Sequence, residues 1–211
     1  MTTHSNKFVT AGTPLNRADR VLILLHGRGA DAEDIISLAD YLALGNTHII
    51  APEATDHTWY PYSFLAPRKQ NEPWLSSALQ VLSTLLNDVI AAGFKSKQVF
   101  ILGFSQGACL TLEFAALHAQ PFGGIIAFTG GLIGDVLEEE NYTGDFQHTK
   151  VFIGNSDKDP HVPLARSVES KRIMEKLGAD VTLTIYPGML HTVNEDELKW
   201  VNENIFQSAA G

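Results

Sequence analysis

A hydroxyl, an imidazole and a carboxylate brought into one line transfer acyl groups, and this chain carries candidates for all three. Ser105 lies in Gly103-Phe104-Ser105-Gln106-Gly107, after the apolar run Val99 to Leu102 and before Ala108, Leu110, Leu112, Ala115 and Ala116. A strand that turns straight into a helix holds the turning residue in a strained conformation and leaves room only for very small side chains two positions either side. Gly103 and Gly107 meet that demand, so the stretch predicts a nucleophile elbow with Ser105 at its tip. A serine hydroxyl is a poor nucleophile near neutral pH and needs a histidine to take its proton and a carboxylate to fix that histidine's tautomer. When the serine comes first in the chain, the acid and then the histidine follow, each after a later strand.

Both partners are present. His191 is the expected base, because Gly188 permits the turn before it and a helical pattern follows it. Asp157 and Asp159 compete for the acid role. Asp159 is favoured because Pro160 holds its backbone extended, whereas Asp157 can make an Asx-type turn to the backbone. Asp157, Asp159 and His161 also alternate as metal ligands can, but no fourth ligand stands out and no metal is expected. The tetrahedral intermediate needs two N–H donors. Gln106, after the nucleophile, supplies one, and Arg28 in His26-Gly27-Arg28-Gly29 is the best candidate for the other. The Arg28 side chain itself is either solvated or biases the mouth toward acidic substrates.

The elements that must position these residues alternate. Phe8 to Ala11 reads as a weak edge strand, and Val21 to Leu25 as a strand buried on both sides. A helix capped by Asp31 runs through Ile35, Ile36, Leu38, Ala39 and Leu42 toward Gly45. His48 to Ala51 is the next strand. Pro52 to Pro73 carries Trp59, Tyr60, Tyr62 and Phe64 with neither period, and so long a loop is usually functional. A long amphipathic helix follows from Trp74 to Ala92, with Leu75, Leu79, Leu82, Leu86, Val89 and Ile90 on its apolar face. Later strands are Gly124 to Thr129, Val151 to Gly154 and Val181 to Tyr186, with helices at Leu164 to Leu177 and Glu195 to Phe206. Glu138-Glu139-Glu140 reads as solvated surface. Such alternation predicts a mostly parallel sheet with helices on both faces, in one domain over 1–211.

With 211 residues, 45% of them hydrophobic and 18% charged, the chain has a globular composition. A net charge of −9 argues against nucleic acid or an anionic membrane as partner, since both recruit a basic face. The one cysteine, Cys109, cannot form an internal disulfide and reads as a small buried hydrophobe. The polar start Met1 to Lys7 lacks the apolar core of a secretory signal, so a cytoplasmic location is expected.

Four stretches, Leu25-His26-Gly27-Arg28-Gly29-Ala30-Asp31, Gly103-Phe104-Ser105-Gln106-Gly107-Ala108, Asp159-Pro160-His161-Val162-Pro163 and Gly188-Met189-Leu190-His191, together resemble the signatures of the phospholipase/carboxylesterase family, which includes the acyl-protein thioesterases. The resemblance implies an α/β-hydrolase fold without a large cap domain and a metal-free, cofactor-free serine esterase. It implies Ser105, Asp159 and His191 as triad and the N–H groups of Arg28 and Gln106 as oxyanion donors. Arg28 stands where thioesterase members often have an apolar residue, and the Trp59-Tyr60-Pro61-Tyr62 loop differs from their acyl-binding segment.

The expected activity is therefore hydrolysis of small, neutral, short-chain or aromatic esters, with thioesters as a further class, by a monomer or homodimer. Trp59, Tyr60 and Phe64 are expected to wall the substrate pocket, or else only to pack the loop onto the sheet. Alternatives within the fold are a lysophospholipase or acyl-protein thioesterase activity and a dienelactone-hydrolase-like one, although that group carries cysteine at the elbow. Outside it stand an inactive binding module and a nucleotide site at Gly27-x-Gly29-x-x-Ala32, with Glu53 ending the next strand.

Overall fold

A computed structural model describes residues 3–207; the ends of the expected 1–211 domain lie outside the described residues. Among the described residues seven strands form one sheet: β1 (Phe8–Gly12), β2 (Arg20–Leu25), β3 (Thr47–Pro52), β4 (Val99–Phe104), β5 (Gly124–Phe128), β6 (Lys150–Ser156) and β7 (Asp180–Tyr186). Their order is β1-β3-β2-β4-β5-β6-β7, with only β1 antiparallel to its neighbour. This is the α/β-hydrolase arrangement, and β4 sits at its centre.

Alternation along each strand divides the core in two. Val21, Ile23, Leu25, Val99, Ile101, Ile125, Ala127, Val151 and Ile153 face one layer, built on α2 (Trp74–Ala91), α3 (Gln106–Leu117) and α4 (Leu164–Lys176). Leu22, Leu24, Phe100, Leu102, Ile126, Phe128 and Phe152 face the other, built on α1 (Ala32–Ile36) and α5 (Glu195–Val201). Two buried faces per strand explain the unbroken aliphatic runs. α3 is buried from Gln106 through Ala116, which is why it lacks an amphipathic stripe.

Several elements differ from the sequence pattern. Asp31 does cap α1, accepting from the Asp34 N–H, but the helix gives way to a 3₁₀ turn at Ser37–Tyr41. The Ser37 hydroxyl bonds back to the Asp34 carbonyl at 2.6 Å and competes with the helical ladder there. On α2, Ile90 is exposed, and Ala78, Val81 and Leu85 join the buried face. α5 ends in a π-helical turn at Asn202–Phe206. Within the acidic run, Glu139 pairs with Arg172 and Lys176 of α4, and these two cations, Arg172 first, lower its carboxyl to about 2. No helix of the described residues is long and apolar enough to cross a membrane.

Candidate active site

Loops leaving the carboxyl ends of β4, β6 and β7 converge at one point. Ser105 follows β4 with φ 54° and ψ −116°, a strained conformation for an L residue. The turn is held by the Ser105 N–H, which donates to the Phe128 carbonyl at 3.0 Å. A Cβ on Gly103 would strike the Gly107 carbonyl, and one on Gly107 would strike the carbonyls of Leu25 and His26. Both glycines are thus demanded by backbone contact between α3 and the strands beneath it.

Ser105 Oγ lies 2.7 Å from His191 Nε2, and His191 Nδ1 lies 2.7 Å from Asp159 Oδ2. Burial alone would raise the Asp159 carboxyl, but the His191 ring and the N–H groups of Val162 and His161 outweigh it and hold the group below its usual range. Those two N–H groups each stand 2.8 Å from Oδ1. With Asp159 ionised, Nδ1 carries the ring proton and Nε2 is left to accept from the hydroxyl. Asp157 has another partner. Its Oδ1 accepts from the Gly188 N–H at 2.7 Å, which pins the turn before His191 and replaces the expected Asx turn. Among the described residues no group of His, Cys, Asp or Glu side chains is gathered as a metal would require.

Two positioning residues escape a motif reading. Asn155, fully buried near the carboxyl end of β6, donates to the Val162 carbonyl at 3.1 Å and to Ser167 Oγ at 2.9 Å, bracing the turn that carries Asp159. His26, fully buried after β2, bonds the Gly27 carbonyl through Nδ1 at 2.8 Å and accepts from the Ala54 N–H through Nε2 at 3.1 Å. Burial lowers its pKa, so the neutral ring needed for both bonds is the one present. His26 thereby fixes the path of Gly27 and Arg28. A methyl on Gly27 would sit 3.5 Å from Ser105 Cβ, so this backbone lies against Ser105. The main-chain N–H groups of Arg28 and Gln106 donate to no acceptor among the described residues.

A cavity of about 410 Å³ opens beside Ser105 and His191, and Tyr60, Pro61, Tyr62, Phe64, Cys109 and Val162 give it an apolar wall. The expectation for Trp59 is corrected. Its indole is fully buried behind the wall, donating from Nε1 to the His26 carbonyl at 2.9 Å and lying between the rings of His4 and His26. A buried indole N–H must find an acceptor, and that acceptor lies on the core side. Tyr62, Pro61 and His161 also line the cavity, and their sequence does not signal it because nothing in a loop without periodicity tells inward side chains from outward ones. Burial pushes the Cys109 thiol up to about 12, which leaves it a packing residue. The nucleotide alternative fares poorly, since the Gly29 N–H donates to His57 O at 2.7 Å and the Ala32 N–H to Glu53 Oε2 at 2.9 Å. Groups that a pyrophosphate would need are already occupied.

Comparison with known proteins accords with this geometry. Residues 6–208 match the family model described as phospholipase/carboxylesterase. A crystal structure of a phospholipase/carboxylesterase from Dyadobacter fermentans is 49% identical, with a TM-score of 0.95 over 97% of this chain and 98% of that one. Acyl-protein thioesterase 1 of Kluyveromyces lactis is 26% identical over 207 residues, spanning 86% of this chain and 89% of that protein. A carboxylesterase from Bacillus cereus, 20% identical, shares the fold with a TM-score of 0.77 over 96% of this chain and 94% of its own. The chain belongs to the phospholipase/carboxylesterase family and is a serine hydrolase of the α/β-hydrolase fold.

Proposed function

We propose that this enzyme is a carboxylesterase acting on small, neutral, short-chain or aromatic esters through an acyl-enzyme on Ser105. The observation that carries the reading is the unbroken series Ser105 Oγ, His191 Nε2, His191 Nδ1, Asp159 Oδ2, with 2.7 Å at both contacts, at the mouth of an apolar-walled cavity. In this reading the Ser105 oxygen attacks the ester carbonyl as its proton passes to His191 Nε2. The carbonyl oxygen takes up negative charge and accepts from the N–H groups of Arg28 and Gln106. Collapse expels the alcohol, which takes the proton back from Nε2. Water then repeats the sequence against the acyl-enzyme, releasing the acid and restoring Ser105.

Asp159 stays ionised throughout and steadies the imidazolium that forms twice per cycle. A thioester presents the same carbonyl to the same groups, and the likeness to a thioesterase supports it as the second substrate class. Hydrolysis of p-nitrophenyl esters and thioesters of graded length tests both classes, with Ser105→Ala as control. That variant should keep its melting temperature and lose activity by about 10⁴-fold or more. Retained turnover in Ser105→Ala refutes the triad, and a wild-type Ser105 that fluorophosphonate leaves unlabelled favours an inactive binding module.

A further inference from the structure

Arg28 is exposed, yet its guanidinium folds back onto the segment after β3. Nη1 donates to Thr58 Oγ1 at 2.9 Å and to the Pro61 carbonyl at 3.0 Å, and Nη2 donates to the carbonyls of Tyr60 at 2.9 Å and Tyr62 at 2.8 Å. The side-chain amide of Gln106, one residue after Ser105, grips the same segment. Its Oε1 accepts from the Trp59 N–H at 2.9 Å, and its Nε2 donates to the Tyr60 carbonyl at 2.8 Å. One oxygen, that of Tyr60, therefore receives both side chains.

Residues 58–62 form no helix or strand of their own. The carbonyls of Tyr60, Pro61 and Tyr62 converge on a planar fork of donors, a geometry that guanidinium provides and an ammonium does not, while the Trp59 carbonyl turns to His4 Nε2. The same two residues offer the main-chain N–H groups assigned above to the oxyanion, and Tyr60, Pro61 and Tyr62 wall the cavity beside Ser105. We propose that the Arg28 side chain is a positioning residue that locks the acyl-pocket wall to the oxyanion donors, so that one clamp sets both acyl selectivity and transition-state alignment. The proposal rests on the esterase reading.

A side chain that merely anchored a surface loop would affect stability alone. A clamp shared with the oxyanion donors affects kcat and selectivity as well, since small misplacements at a reacting centre cost up to about 100-fold. The test compares wild type with Arg28→Ala and Arg28→Lys in two assays. Hydrogen exchange of segment 57–64 reads the clamp without activity, with β4 as internal reference. Esterase kinetics on p-nitrophenyl acetate, butyrate and benzoate read its catalytic consequence.

In Arg28→Ala, exchange of 57–64 should rise roughly tenfold or more while β4 is unchanged, and kcat should fall by about 10- to 100-fold. The kcat/KM ratios among the three esters should move toward one, and added guanidinium ion should restore part of kcat. Arg28→Lys, which keeps stem and charge and so guards against an Ala variant that fails to fold, should lose kcat and selectivity in the same direction. Unchanged exchange overturns the proposal, as does raised exchange with wild-type kcat and ester ratios, or an Arg28→Lys variant equal to wild type. A wild type that hydrolyses none of the esters sinks the esterase reading itself, and the catalytic role of the clamp with it.

Discussion

Glu197 stands fully buried in the first turn of α5, and replacing it with glutamine should make the protein more stable in alkaline buffer. Its Oε2 accepts from the Asn194 N–H at 2.9 Å, completing a reciprocal cap, while Oε1 has no donor among the described residues and lies against Gly154. Burial raises its carboxyl from 4.5 to about 7. The folded state therefore holds this proton more tightly than the unfolded one, and the associated stability is present below pH 4.5 and lost as pH rises through about 7. At about 1.4 kcal/mol per pH unit, that gap costs about 3 kcal/mol at pH 8 and above. Glu197→Gln mimics the protonated acid, keeping an acceptor for Asn194 and a neutral group toward Gly154. For a chain of this size the gain corresponds to a melting temperature roughly 6–12 °C higher at pH 8, shrinking to nothing by about pH 4.5. Paired thermal melts from pH 4.5 to 8.5 provide the assay. His4 and His26, whose pKa values burial lowers, make both proteins less stable as pH falls below 6.5, but they cancel in the difference. A difference that does not vary with pH, or a variant less stable than wild type at pH 8, refutes the reasoning.

Three further substitutions separate packing from chemistry. Trp59→Ala should cost about 3–5 kcal/mol of stability, read by urea unfolding, while leaving the relative rates on acetyl, butyryl and phenyl esters unchanged, because the indole lies behind the pocket wall. A changed rate ratio with no loss of stability would contradict that placement. Gly107→Ala should cost more than about 3 kcal/mol, because its Cβ would lie 2.6 Å from the His26 carbonyl oxygen. Gly29→Ala, where nothing stands within 4 Å but φ is +81°, should cost only about 1–2 kcal/mol in the same unfolding assay.

Much of the fold is legible in the sequence because it rests on local rules. Val21 to Leu25 and Val99 to Leu102 are apolar without alternation, as strands covered on both faces must be, and Asp31 and Gly103-x-Ser105-x-Gly107 mark a cap and an elbow by residue type alone. Helix interiors are harder to read. The break of α1 at Ser37 turns on one hydroxyl choosing a carbonyl, and Ile90 faces solvent because the buried face of α2 runs through Ala78, Val81 and Leu85.

The chain by itself determined the identities and order of the chemical groups: a serine between glycines, an aspartate before a proline, a histidine after the last strand. It determined as well that these follow strands whose carboxyl ends share one edge of the sheet. Only the tertiary structure decided which aspartate meets His191, that Asp157 pins Gly188, that Trp59 turns inward to the His26 carbonyl, and that Arg28 and Gln106 close on the same Tyr60 oxygen. The physical reason is sequence distance. Such contacts join loops tens of residues apart, where no periodicity links the partners, and the direction of a side chain in an irregular segment is set by whichever donor or acceptor the rest of the fold places within reach.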